Sequence, residues 1–227
     1  MYRKYFKRLV DIMCALAAIA VFWWLFIIVA AFVRVKLGSP VIFAQKRPGL
    51  GGKIFTMYKF RTMTDEVDEN GKLLPDNVRL TKFGKLLRKT SLDELPEAFN
   101  ILKGDMSVVG PRPQLVRDMV FFTDEQMKRQ SVRPGLSGLA QVMGRNGISW
   151  EKKLDYDLEY IKKITFLGDC KIIFKTVWSA FVKTEGISQE GMDTGEDFGD
   201  YLLSGQKVTE EEYNKKQEEA ERLLALV

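Results

Sequence analysis

A chain of 227 residues can hold one domain with a real core plus additions, and with no histidine in it the usual proton shuttle is missing, so acid–base chemistry falls to carboxylates. The net charge of +5 conceals an asymmetry: residues 186–227 hold eleven acids against four bases, −7, which leaves +12 on the first 185 residues. A basic body implies anionic partners such as phosphates or acidic lipid head groups, while nucleic acid is disfavoured because no recognised nucleic-acid module is present.

Residues 1–11 carry Arg3, Lys4, Lys7 and Arg8, and Ile12 to Val33 follow as 22 residues without a charge before Arg34 and Lys36. That run is too long for the core of a cleaved signal and long enough to reach across a bilayer, which takes roughly 20 apolar residues. Basic clusters on both flanks oppose a simple crossing under the positive-inside tendency, so a helix that dips in and returns stays open beside a spanning one. The two cysteines, Cys14 and Cys170, read as buried thiols of a reducing compartment.

From Gly38 the pattern changes. Pro40–Ala44 and Lys53–Tyr58 are short β-like runs on either side of the glycine-rich turn Pro48–Gly52, which predicts a hairpin. Thr81–Lys89 reads as a short basic amphipathic helix. Within Thr90–Asn100, Ser91 and Glu94 have capping-box spacing, and Pro96 suits only a first turn, so a helix is predicted to begin between Ser91 and Asp93. The helix dipole would then hold Asp93 ionised and attract a phosphate or a metal ion. Basic residues crowd that start from both sides: Arg79, Lys82, Lys85, Arg88 and Lys89 upstream, Lys103 and Arg112 downstream. The ordinary alternative is that Asp93 and Glu94 only cap the helix and pair with Arg88.

Pro111 and Pro113 fix the backbone around Arg112, which suits a rigid bracket aiming one guanidinium at a phosphate. Gln114–Gln130 reads as one helix, and Arg133–Gly138 and Met143–Gly147 as loops, the second holding Arg145. Ser149–Lys163 and Asp169–Lys183 read as helices, the latter with a broad aromatic face that fits either the head-group layer or a core. Thr209 begins a charged helix in the acidic remainder, taken as a tail or a partner contact.

The motifs in this order resemble those of the small monotopic phosphoglycosyl transferases, bacterial sugar transferases that act on polyprenyl phosphate. The matching text runs from about Lys7 to Gly186. It includes Met57–Met63, Leu87–Pro96, Asn100–Ser107, Val109–Pro113, Arg133–Val142 and Gly144–Asn146. The resemblance implies an α+β, membrane-associated fold: an anchoring helix over 1–37, re-entrant or spanning, a catalytic domain over 38–186 with a small β-hairpin and short interfacial amphipathic helices, and an acidic tail over 187–227. It implies transfer of a sugar 1-phosphate from a UDP-sugar to polyprenyl (undecaprenyl) phosphate, with UMP released, at the cytoplasmic face of the bacterial inner membrane. By the same resemblance Asp93 is the nucleophile and Glu94 its partner, which helps it hold Mg2+ or handles a proton. Lys59, Arg88, Arg112 and Arg145 take the phosphates, and Pro111 to Pro113 border the uridine pocket. Family members are expected to break the membrane helix with a Ser-Pro pair. Here Trp23-Trp24 stands in that place, and residues 9–36 hold no proline. A non-catalytic scaffold binding acidic lipids through the basic face is the competing reading. Which sugar is carried, and whether the chain pairs with itself or with pathway glycosyltransferases, is not written in the spacing.

Overall fold

The computed structural model describes residues 1–144, 147–182 and 196–227. A short π-turn, Tyr2–Phe6, leads into α1, Lys7–Leu37. At 1.5 Å per residue this helix is about 46 Å long. It runs without a break past Trp23-Trp24, as expected of a segment with neither proline nor a Gly/Ser pair to kink it.

One face of α1 packs along the body of the protein from end to end. Near its start the Arg8 guanidinium donates to the carbonyls of Ile101 and Leu102 at 2.6 and 2.9 Å. Asp11, buried one turn on, accepts from the Ser107 hydroxyl and the Val108 N–H at 2.9 Å. Lys7 reaches Asp169 at 2.6 Å. Toward its other end Val29, Val33 and Leu37, spaced four residues apart, pack with Phe60 and Leu87. Away from that face Leu16, Trp23 and Ile27 stand exposed, and only 11% of the most apolar 18-residue window is buried. Cys14 lies on that outward face and Cys170 is exposed too, which corrects the expectation that both thiols are buried.

Replacing Asp11 by Ala strands the Ser107 and Val108 donors in the interior. We expect a loss of about 3 kcal/mol, since buried groups bonded to a charge are worth about 1.5–3 kcal/mol each and are not additive. Thermal unfolding should show a Tm lower by roughly 6–12 °C. An unchanged Tm would mean that the contacts of Arg8, Lys7 and the apolar residues hold the N-terminal end of α1 without Asp11.

β1, Ile42–Pro48, and β2, Ile54–Phe60, form an antiparallel hairpin with Ile42 opposite Phe60 and Pro48 opposite Ile54. The turn between them uses Gly51 and Gly52 at φ of 65° and 77°, a region open to glycine. After the single turn α2, Asp76–Arg79, comes α3, Lys82–Thr90, capped by the Thr81 hydroxyl, which accepts from the Gly84 N–H. Gly84 lies so close to the hairpin's continuation that a Cβ would fall 1.8 Å from the Thr62 carbonyl. Glycine is what lets α3 settle there.

Ser91 terminates α3 in the left-handed region, and its N–H returns to the carbonyls of Leu87 and Arg88. The expected capping box therefore does not form, because Ser91 ends one helix instead of starting the next. A 3-10 turn, Leu92–Glu94, carries the two carboxylates, and α4, Glu97–Lys103, starts after Pro96.

Two three-residue strands, β3 Ser107–Val109 and β4 Gly135–Ser137, pair in parallel. Between them the one helix expected over Gln114–Gln130 is instead α5, Val116–Met119, α6, Asp124–Met127, and a 3-10 turn, Lys128–Ser131. Thr123 opens α6 with a true capping box to Gln126, and the preceding Val120 and Phe122 turn into the core. α7, Leu139–Met143, α8, Trp150–Lys162, and α9, Phe166–Val182, follow. On α9 Ile172 is buried and Ile173 packs against the same cluster, whereas Phe174, Val177 and Trp178 face outward.

The acidic C-terminal segment does not stand apart. α10, Phe198–Ser204, and α11, Glu210–Ala225, bring Phe198 and Ala220 into one core with Val116, Met119, Phe122, Trp150 and Leu154. Its acids meet the basic body at Arg117, which pairs with Asp197 and Asp200 at 2.9 and 2.7 Å.

Candidate active site

The 3-10 turn Leu92–Glu94 brings Asp93 to the face of β2 and the Pro111–Pro113 loop, and Asp93 is only 7% exposed. Glu94 follows on the same turn and faces the same cations. Its Oε1 accepts from Lys59 Nζ at 2.8 Å and from Arg112 Nη2 at 3.2 Å. Lys59 is shared with a third carboxylate, since Glu97 Oε1 lies 3.1 Å from the same Nζ. Asn100, fully buried on α4, takes the Tyr58 N–H and donates to the Thr56 carbonyl. That clamp fixes β2 at the residue before Lys59. Arg88 donates to the Thr62 hydroxyl at 3.1 Å and contributes positive potential at Asp93.

Three carboxylates thus sit amid three cations, and their environments separate them. Burial, reinforced by the Glu94 charge, pushes Asp93 up to about 6. Burial thus opposes the ionisation of Asp93 that the sequence led one to expect, and a group at about 6 is still mostly ionised at neutral pH. Burial also opposes ionisation of Glu94, but Lys59 and Arg112 overcome it and hold that carboxyl at about 2. Glu97, deeper and sharing Lys59 with Glu94, is pushed up to about 7 by burial. Burial would lower Lys59, yet Glu94 and Glu97 together raise it.

The difference in partners is as clear as the difference in charge. Among the described residues, none donates a hydrogen bond or an ion pair to the Asp93 carboxylate, whereas Glu94 holds two cations on one oxygen. No three or more acids or cysteines among the described residues converge as a self-sufficient metal cage. Mg2+ needs less, because one or two carboxylates and substrate phosphates complete its shell. Asp93 and Glu94 Oε2, neither bonded among the described residues, fit that smaller role.

Of the residues singled out from the sequence, Lys59, Arg88, Asp93, Glu94, Pro111, Arg112 and Pro113 come together. Arg145 lies outside the described residues. Two members of the basic crowd point elsewhere: Arg79 bonds the Thr64 carbonyl and Asp76, and Lys103 pairs with Asp105. Sequence reasoning missed Glu97 and Asn100. Glu97 follows Asp93 by four residues, a helical turn, and that spacing was the available signal.

A family model described as bacterial sugar transferase matches residues 2–183. The chain belongs to the bacterial sugar transferase family.

Among relatives of this sugar transferase, the Bacillus subtilis (strain 168) protein named uncharacterized sugar transferase EpsL is 51% identical over 192 residues, covering 85% of this chain and 95% of that protein. The UDP-glucose:undecaprenyl-phosphate glucose-1-phosphate transferase of Klebsiella pneumoniae is 41% identical over 187 residues, 78% of this chain but 40% of that longer protein. The exopolysaccharide production protein ExoY of Rhizobium meliloti (strain 1021) is 35% identical over 188 residues, 75% of this chain and 83% of its own length. The family match of the sugar transferase takes in the whole carboxylate site and ends before α10 and α11.

Proposed function

We propose that the chain transfers a sugar 1-phosphate from a UDP-sugar to undecaprenyl phosphate or a related polyprenyl phosphate, through a covalent phosphosugar on Asp93. One observation carries this reading: of two adjacent buried carboxylates, one is locked by two cations and the other has no partner among the described residues. A carboxylate left unpaired amid cations is poised to attack phosphorus.

In the first step an Asp93 oxygen attacks the phosphorus that bears the sugar. The bond from that phosphorus to the bridging oxygen breaks, and UMP departs with the electron pair. In the second step an ionised oxygen of the polyprenyl phosphate attacks the same phosphorus, and the Asp93 carboxylate leaves. Neither step needs a strong general base, in keeping with a chain that has no histidine. Lys59, Arg88 and Arg112, with Arg145 as a further expected member, bind and orient the phosphates. Mg2+, held by Asp93 and Glu94 together with the donor's diphosphate, would supply neutralisation of the charge on the transferring group. Glu94 also fixes the Lys59 and Arg112 side chains relative to Asp93.

The apolar groove between α1 and α3 supports a lipid acceptor. It has a volume of about 370 Å³ and is lined by Leu25, Val29, Phe32, Phe83, Leu87 and Leu92, the last two adjacent to Arg88 and Asp93. Contact of both ends of α1 with one globular body, and the basic flanks, favour a protein held on a single face of the inner membrane, the cytoplasmic one.

The test is adduct formation from a panel of UDP-sugars without acceptor, read by UMP release and by mass spectrometry of the quenched protein. Asp93 must be ionised to attack, so the rate should rise with pH along a limb near pH 6. Glu97→Gln removes the neighbouring group that titrates near 7 and should leave the Asp93 limb in place. No UMP above an Asp93→Asn control across the panel would leave the lipid-binding scaffold as the better reading.

A further inference from the structure

Arg112 sits between two prolines, so the backbone of this bracket has few N–H groups with which to anchor itself. Its carbonyls are held instead. The Pro111 carbonyl accepts from the Gly135 N–H at 2.9 Å, the Pro113 carbonyl from Arg47 Nη1 at 3.3 Å, and the Arg112 carbonyl from Arg129 Nη2 at 2.6 Å. The first contact exists because residue 135 has no side chain; a Cβ there would meet the Gly110 nitrogen at 2.0 Å. The third is made by a buried charge.

Arg129, on the 3-10 turn Lys128–Ser131, is 3% exposed, and its guanidinium carbon lies 5.5 Å from the centre of the Phe122 ring. Its Nε and Nη2 both donate to Asp157 Oδ2 on α8, at 2.9 and 2.6 Å, and Asp157 is as buried as its partner. A buried ion pair of this kind is poor value for stability alone, because desolvating two charges cancels most of their attraction and an apolar pair of similar volume does as well. An apolar pair could not hold the Arg112 carbonyl. A guanidinium can donate to Asp157 and that carbonyl at once, because its N–H groups form a rigid fork.

We infer that Arg129, itself oriented by Asp157, is a positioning residue that sets the origin from which Arg112 reaches Glu94 and the donor phosphates. This rests on the reading of Arg112 as a phosphate-binding group. It assigns a function to two residues that touch neither substrate nor the reacting carboxylate.

The experiment is a double-mutant cycle in the full-length chain. Arg129→Met combined with Asp157→Leu removes both charges at similar volume, so neither is left buried and alone. With Arg112 present, kcat/KM for adduct formation should fall about 10–30-fold, mostly in kcat, because misplacement of a binding group costs this much without removing it. In an Arg112→Ala background the same pair of substitutions should cost less than about twofold. Tm should stay within about 3 °C of the parent. Losses that multiply across the two backgrounds, or a fully active double variant, overturn the inference. Should the double variant fail to fold, Arg129→Lys passes through the same cycle with the same criteria.

A ligand-free readout separates this inference from the reaction it serves. In protein labelled at arginine, the 15Nε signal of Arg112 is identified by its loss in Arg112→Ala. It should move in the Arg129 variant with no substrate present, and an unmoved signal refutes the positioning role even if the enzyme turns over. An inert wild type with a moved signal would sink the proposed reaction and leave the bracket's architecture standing.

Discussion

Asp93→Asn should yield no phosphosugar adduct and a kcat lower by at least about 10³-fold, the scale of loss when a covalent nucleophile is removed. It should also make the protein more stable at pH 7. Asp93 is raised from 3.8 to about 6 in the folded state, so folding favours its protonated form. Such a group costs nothing below pH 3.8, and its ionisation opposes folding progressively as pH rises through 6. A shift of about two pH units corresponds to about 3 kcal/mol at neutral pH. Asparagine keeps the shape and drops the charge, so a Tm rise of several degrees is expected by thermal unfolding at pH 7, vanishing near pH 4. An adduct that persists in this variant would move the nucleophile elsewhere. A lower Tm would mean that the surrounding cations contribute more to the site's stability than burial removes.

Glu94→Gln should do the opposite to stability. Glu94 is lowered from 4.5 to about 2, because Lys59 and Arg112 stabilise its charge more than burial penalises it. Its contribution is therefore present in full above pH 4.5 and is lost as pH falls toward 2. The shift corresponds to about 3 kcal/mol before screening. Arg112 is 43% exposed, so water weakens its share and about 2 kcal/mol is the expected loss at pH 7. Denaturant titration at pH 7 reads this directly. Activity should fall about 10²–10³-fold, since the cations that surround the reacting phosphorus lose the group that fixes them. Neighbours in sequence, Asp93 and Glu94 are thus predicted to answer neutralisation with opposite signs. Parallel changes in stability would show that the two carboxylates share one environment.

Much of the site was legible along the chain. The Asp-Glu pair and the proline-flanked arginine stand in short runs that local spacing was enough to single out, whereas Lys59 came from the family resemblance of the Met57–Met63 run. The single long N-terminal helix was legible for a similar reason: 22 uncharged residues with no proline have little choice but a helix. Local spacing failed where a residue's role depends on a partner distant in the chain. The capping box assigned to Ser91 dissolved because Leu87 and Arg88 claim its N–H. The helix over Gln114–Gln130 broke because Val120 and Phe122 are drawn into a core completed by Phe198 and Ala220 from the far end. Strands β3 and β4, three residues each, were below the reach of any alternation pattern.

By itself the sequence determined the chemistry available to this protein: a long apolar N-terminal run, a basic body, carboxylates in place of histidine, and the positions where acid and base lie close along the chain. The tertiary structure decided that Glu94 is held by two cations while Asp93 has no such partner among the described residues, that Glu97 shares Lys59 and Asn100 clamps β2 beside it, and that Arg129 bonds the bracket's Arg112 carbonyl. It also turned an acidic tail into part of the core. The physical reason is that type and spacing are local, whereas burial and pairing are not. Desolvation of Asp93 and the cations that claim Glu94 arise only when β2, the turn before α4 and the Pro111–Pro113 loop are folded against one another.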